Sequence, residues 1–258
     1  MKRIRLKIAY DGTDFLGFQK LPEKRTVEGT LNEALCGLCG EDISIIGASR
    51  TDSGVHALGN VAVFDTESSI PEERFAYAIN QRLPKDLRIV ESEACDKLWH
   101  PRREKGIKTY EYRIYNGRIE DPLRYRFFHF CPYSLDIDAM REALSYIRGE
   151  HDFTSFANPA SQILLRGESA VRTIYEAELI ENGGRAFGGG RGELILRLRG
   201  DGFLYHMVRI IAGTVLSAGT GAIKPSAMED ILEKRDRTAA GMTAPAKGLC
   251  LMSIDYER

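Results

Sequence analysis

From Arg3 to Tyr10 the chain alternates: Ile4, Leu6, Ile8 and Tyr10 fall on one side, Arg3, Arg5 and Lys7 on the other. A period of two predicts a half-buried strand with a basic outer face, and Asp11-Gly12 breaks it. The period then lengthens. Val27, Leu31, Leu35 and Leu38 recur at helical spacing and predict a helix over 27–39. Short strands are predicted over Ile43–Ile46 and Asn60–Phe64. Pro71 opens a helix with Phe75, Ile79 and Leu83 on its buried side, Pro84 stops it, and Leu87–Ser92 is a strand.

A second series begins at Lys108–Tyr115, a strand with Tyr110, Tyr112 and Ile114 on one face. Asp136 caps a helix carrying Met140, Ala143, Leu144 and Ile147, closed by Gly149. Strands over Thr173–Ile180 and Leu194–Leu198 flank the flexible hairpin loop GGRAFGGGRG, residues 183–192. That loop is no phosphate cradle, because a strand rather than a helix follows it. Helices over Tyr205–Ala218 and Pro225–Lys234 come next, and Leu249–Asp255 is a last strand.

Strand, helix, two strands, helix, strand, and then roughly the same again: this order predicts an α+β architecture with mainly antiparallel sheets. IAYDGTDFLGF at Ile8–Phe18 and LRLRGDGFLYHM at Leu196–Met207 both run strand, glycine turn, aromatic cluster. The echo fits two related halves, and a shared turn type alone would also produce it. We divide the chain at residues 1–104 and 105–258; a cleft between two such halves would suit a large substrate.

Composition adds limits. The 258 residues are 43% hydrophobic and 28% charged, an ordinary water-soluble mixture. No apolar run approaches the ~20 residues a membrane helix needs. MKRIRLKIAY lacks the apolar stretch of a signal peptide, so the expected location is the cytoplasm. The formal net charge of −1 argues against indiscriminate coating of nucleic acid but leaves room for a local basic face. Lys2, Arg3, Arg5 and Lys7 form one basic cluster, and Arg102, Arg103, Lys105 and Lys108 another. Each would serve as a phosphate-binding groove or as a plain solvated face. Five scattered cysteines make no disulfide framework, and Cys36-x-x-Cys39 has no second ligand pair nearby for zinc. Inside an amphipathic helix this pair reads as packing.

Gly47–Phe64, GASRTDSGVHALGNVAVF, carries the densest chemistry. A polar turn between two strands holds Arg50, Asp52 and His56. Three readings compete. Asp52 and Arg50 make a simple turn with its charge neutralised; or Asp52 and His56 are two ligands of a metal, with a third missing; or Asp52 is a carboxylate acting directly on an electrophilic carbon, kept ionised by a neighbouring guanidinium.

GASRTDSGVHA resembles the G-x-x-R-T-D-x-G-V-H motif of the TruA family of tRNA pseudouridine synthases. The resemblance continues through IAYDGTDFLGFQ near the start, WHPRREKGIKTYEYRIYN at Trp99–Asn116, GEHDFTSFA at Gly149–Ala157, GDGFLYHMVRIIAGT at Gly200–Thr214 and PAKGL at Pro245–Leu249. It therefore covers nearly the whole chain in order. Ser49 and Ser53 stand where many members carry Gly and Ala, Pro101 where Ala is frequent, and 102–108 is more polar than usual.

The resemblance implies the pseudouridine synthase fold: two similar ferredoxin-like halves with mainly antiparallel sheets joined at a central cleft. It implies isomerisation of uridine at positions 38, 39 or 40 in the anticodon stem-loop of tRNA, with no metal and no cofactor. Asp52 is then the catalytic carboxylate, which attacks the sugar, attacks the base or removes a sugar proton. Arg209 is its partner, Tyr110 stacks on the target base, Arg50 holds RNA, and Leu249 is an apolar wall beneath the base. Members work as homodimers, so a homodimer binding tRNA away from any membrane is the expected assembly. Two further readings stand beside this one: an inactive RNA-binding module on the same fold, and a metal-dependent hydrolase built on Asp52 and His56.

Overall fold

The computed structural model describes residues 1–184 and 186–256, so Arg185 in the glycine-rich loop lies outside the described residues. The chain forms two units, 1–106 with the last strand from Leu251 onward, and 107–250. The first unit contains β1 (Lys2–Tyr10), α1 (Val27–Cys39), β2 (Ile46–Gly47), β3 (His56–Thr66), α2 (Phe75–Asn80) and β4 (Leu87–Cys95). The second contains β5 (Gly106–Asn116), β6 (His129–Cys131), α3 (Ile137–Ser145), β7 (Gly149–Asp152), α4 (Gln162–Leu165), β8 (Val171–Gly183), β9 (Gly192–Gly200), α5 (Met207–Gly219) and α6 (Ala227–Lys234). β10 (Leu249–Tyr256) returns to the first unit from Leu251, where a split into two consecutive halves would leave it in the second.

In the first unit the strands run β4-β1-β3-β10, and β2 also pairs with β3. β1 is antiparallel to both neighbours, with Ile4 opposite Phe64 and Leu6 opposite Ala62 on one side, and Leu6 opposite Ser92 on the other. Ile4, Leu6 and Ile8 are fully buried, as alternation requires. Val27, Leu31 and Leu35 of α1 and Phe75 and Ile79 of α2 complete this core. Phe64 meets Phe75 edge-on at 5.4 Å. Thr26 caps α1 by accepting from Gly29 N at 3.2 Å, and Gly40 closes it at φ 72°.

Three details depart from the expected pattern. β2 is two residues, not the predicted Ile43–Ile46 strand. Helix α1 takes the missing ladder bonds: Ile43 N donates to Cys36 Sγ at 3.2 Å, and Ile45 N to Asn32 Oδ1 at 3.0 Å. Cys36 therefore fastens α1 to the next segment. β3 is eleven residues long because β1 pairs along almost all of it. Third, the basic face of β1 is largely neutralised. Arg3 reaches Asp65 at 2.8 and 2.6 Å, Arg5 reaches Glu93 at 2.7 Å, and Lys2 lies 3.3 Å from Glu72. Asp65 and Glu93 are the register partners of Arg3 and Arg5 on β3 and β4. The Arg3 guanidinium holds the Asp65 carboxyl below the ordinary range.

The second unit runs β5-β9-β8-β7, antiparallel throughout, with β6 parallel to the end of β5. Tyr112, Ile114, Leu194, Leu196 and Leu198 are fully buried, with Met140, Leu144, Ile210 and Ile211 from the helices. β6 and the polar edge strand β7 carry too few alternating positions to be legible. Asp136 caps α3, accepting from Ala139 N at 3.0 Å, and Gly149 has φ 98°. Among the described residues no helix is long and apolar enough to cross a membrane.

The segment 241–249 is pressed against α5. Gly241 N donates to Thr214 Oγ1 at 2.9 Å, and a methyl group on Gly213 would stand 1.9 Å from Met242 O. Glycine to alanine in a helix ordinarily stabilises by up to about 1 kcal/mol. Here the overlap reverses the sign: Gly213→Ala should lose roughly 1–3 kcal/mol in urea unfolding of the whole chain.

Candidate active site

Arg50 and Asp52 occupy the crossing from β2 to β3 in the first unit. Ala48 N still pairs with Val61 O at 2.7 Å; after it the chain leaves the sheet and is held by side chains. Ser49 O accepts from Asn60 Nδ2 at 3.0 Å. The same amide donates to the Tyr10 hydroxyl at 3.2 Å, which lies 2.7 Å from Thr51 Oγ1. Thr51 O accepts from Phe18 N at 3.0 Å. Asp52 O accepts from Val55 N at 3.1 Å, closing a turn whose third residue, Gly54, has φ 78°. Phe15 O takes Gly54 N at 3.3 Å and Ser53 Oγ at 3.3 Å.

The glycines of the opening loop allow this contact. A methyl on Gly12 would lie 2.0 Å from Val55 O, and one on Gly17 (φ 87°) 3.0 Å from Thr51 O. On Gly47 it would lie 2.2 Å from the Phe18 ring. YDGTDFLGF and GASRTDSGVH are thus two halves of one packed loop pair. Its backbone is anchored from Ser49 to Val55, while the Arg50 side chain is exposed and Asp52 half-buried. That arrangement fixes the backbone that carries the Asp52 carboxylate. His56 is bound to the opening loop: Gly12 N donates to its Nδ1 at 3.0 Å, and the Asp11 carboxylate is 3.2 Å from that nitrogen. The histidine is a staple between the two loops. Among the described residues no three His, Cys, Asp or Glu side chains converge to hold a metal ion.

Tyr110, Arg209 and Leu249 lie in the second unit. Tyr110, on β5, is buried and meets Phe203 edge-on, ring centroids 5.1 Å apart. Tyr112, two residues on and on the same face, donates its hydroxyl to Pro245 O at 2.9 Å. Burial raises its hydroxyl pKa far above the ordinary range, against the pull of Arg209, so it stays protonated. Arg209, half-buried on α5, donates from Nε to Ala244 O at 2.8 Å, and Ala244 N returns a bond to Arg209 O at 3.0 Å. The residue before this helix, His206, has φ 65°, a costly backbone for a side chain of this size. Asn158 holds that corner, with N donating to Tyr205 O at 2.9 Å and Nδ2 3.0 Å from His206 Nδ1.

Gly248 explains the approach to Leu249. A methyl there would lie 2.8 Å from Tyr112 Cζ and 2.9 Å from Arg113 O. Only a residue without a side chain lets the segment run flat against β5 and seat Leu249, which is buried. Tyr112, Asn60 and Tyr10 were not picked out by sequence reasoning as supports of the site; the two tyrosines looked like any inward strand position, and Asn60 like a polar residue at the start of a strand.

The family model for tRNA pseudouridine synthase matches residues 7–102 and 143–257. The chain belongs to the tRNA pseudouridine synthase family.

The matched stretches contain Arg50, Asp52, Arg209 and Leu249, and Tyr110 falls between them. The chain is 42% identical over 256 residues to tRNA pseudouridine synthase A of Brevibacillus brevis, covering 99% of this chain and 100% of that protein. It is 43% identical over 259 residues to the Acetivibrio thermocellus protein of the same name, covering 99% and 100%. The Bacillus subtilis counterpart is 42% identical over 257 residues, covering 99% of each. As a member of this family of tRNA pseudouridine synthases the protein is an isomerase, converting uridine in tRNA to pseudouridine.

The anchoring of the Asp52 turn can be tested apart from the reaction. Asn60→Ala leaves Ser49 O and the Tyr10 hydroxyl without their buried donor, which should cost about 1–3 kcal/mol in chemical unfolding. Pseudouridine formation under saturating tRNA should fall at least tenfold while tRNA affinity stays within threefold.

Proposed function

We propose that this pseudouridine synthase acts on uridine at one or more of positions 38, 39 and 40 of the tRNA anticodon stem-loop, with Asp52 as its catalytic carboxylate. The observation that carries this reading is the turn 49–55: its backbone bonds are anchored, and Asp52 is left half-buried beside an exposed arginine. A pure binding module has no need of so firmly positioned a carboxylate.

In the reaction the N1–C1′ bond breaks, the base turns, C5 bonds to C1′, the C5 proton leaves and N1 gains one. The atoms balance without redox chemistry or phosphate energy, so no cofactor is invoked. The target base must leave its stack to reach a carboxylate. Tyr110 is assigned to stack on it, with Leu249 as an apolar wall. Arg209 is assigned to keep the carboxylate ionised, in keeping with its fixed guanidinium. Arg50, exposed beside Asp52, is assigned to the RNA backbone. We further assign the protein to the cytoplasm as a homodimer, the assembly that the resemblance implies.

Unmodified tRNA, incubated with chelator and no added cofactor, should gain pseudouridine in the anticodon stem-loop with the native protein and none with Asp52→Ala. Equal activity in both proteins would remove Asp52 from the mechanism. Arg209→Leu should lower the single-turnover rate at least a hundredfold and tRNA affinity less than fivefold; a near-native rate would remove Arg209 from it.

A further inference from the structure

Lys108 stands apart from the other cations. It is half-buried near the start of β5, and its amine makes no hydrogen bond or ion pair among the described residues. A covered ammonium with no acceptor is costly. In the β5–β9 ladder Lys108 pairs with Gly200, and Gly200 pairs with Ile174 of β8. These three positions form one row on one face. Gly200 contributes no side chain to it, and the Phe203 ring fills the space instead, 3.4 Å from where a methyl would be. Phe203 is also the ring that packs on Tyr110, two residues from Lys108 on the same face.

The second cation is Arg172, two residues before Ile174 and therefore on that face as well. It lies over Gly202, where a methyl would meet its Cδ and Nε at 3.2 Å. Its Nη1 donates to Ser169 O at 3.0 Å and Val171 O at 2.6 Å, both main-chain carbonyls that leave its charge uncompensated. Burial, and then the Arg172 charge, push Lys108 below the ordinary lysine range. Two like charges thus lie on one face beside Gly200 and Gly202, close enough for the arginine to depress the lysine, with no carboxylate paired to either among the described residues.

We propose that Lys108 and Arg172 clamp one backbone phosphate of the RNA, next to the nucleotide that stacks on Tyr110. One phosphodiester would give the amine its missing acceptor and relieve the repulsion between the cations, so the site is complete only with an anion in it. The proposal rests on the assignment of Tyr110 to the target base, and it names the part of the substrate held beside that base.

The test uses the full chain and an anticodon stem-loop RNA. Lys108→Met and Arg172→Gln should each weaken binding about tenfold and reduce the slope of log affinity against log salt by about 1, and Lys108→Arg should restore most of both. Lys108→Met should unfold no earlier in urea than the native protein, because it removes an unpaired amine. Replacing the RNA phosphates one at a time by neutral methylphosphonates should reveal one that costs the native protein about tenfold in affinity and costs Lys108→Met nothing further. Native affinity and salt slope in Lys108→Met would overturn the clamp. So would a loss of turnover without a loss of binding, which would make Lys108 a proton-transfer group instead. If the native protein forms no pseudouridine in this RNA, the proposed function fails, while the binding and methylphosphonate measurements still decide whether the cation pair holds a phosphate.

Discussion

The carboxamide of Asn60 is buried in β3 and donates to Ser49 O and to the Tyr10 hydroxyl. Through the first bond the strand holds the chain that has just left β2; through the second it holds the hydroxyl beside Thr51. The rest of the turn is held by the opening loop, through Phe18 N on Thr51 O, and by local geometry, through Val55 N on Asp52 O and Gly54 at positive φ. A buried amide donor with two defined acceptors tolerates little displacement, because each lost bond leaves a polar atom without water. The backbone of Asp52 is therefore held jointly by the sheet through Asn60, by its own turn and by the opening loop.

The second unit solves a similar problem with small residues. Gly213, Gly241 and Gly248 let the 241–249 segment lie against α5 and β5 at distances no side chain would permit. Main-chain carbonyls so brought in then serve as acceptors, Ala244 O for Arg209 and Pro245 O for Tyr112. A guanidinium that spends Nε on a fixed carbonyl keeps its remaining donors in one plane and direction. The strained His206 backbone at the head of α5 is tolerated because Asn158 and the packed helix over-determine it.

Charge placement separates structural cations from available ones. Arg3 and Arg5 look, in sequence, like half of a basic groove, yet each has a carboxylate opposite it on the neighbouring strand. Such half-exposed pairs add little stability, but they withdraw positive charge from anything approaching that face. Arg102, Arg103 and Lys105 are exposed, while Lys108 and Arg172 are half-buried and paired to no carboxylate among the described residues. A balanced net charge thus conceals an uneven field.

Periodicity alone determined β1, α1, α3, α5 and β9 to within a few residues, because each buries one face and its pattern must follow that face. The motif around Asp52 was legible from its residues as a polar turn between two strands, and it was the family resemblance that singled out Asp52 within it. What the sequence could not supply was every decision made by a partner distant along the chain. β2 shrank to two residues because Cys36 and Asn32 of α1 took its hydrogen bonds. His56, a candidate metal ligand by spacing, became a staple because Gly12 N reached it. The last strand crossed back to the first unit, and Lys108 became half-buried within reach of the Arg172 charge. Local pattern encodes which face of an element is apolar; which neighbour covers that face, and which polar group it satisfies or leaves unsatisfied, exists only once the chain has folded.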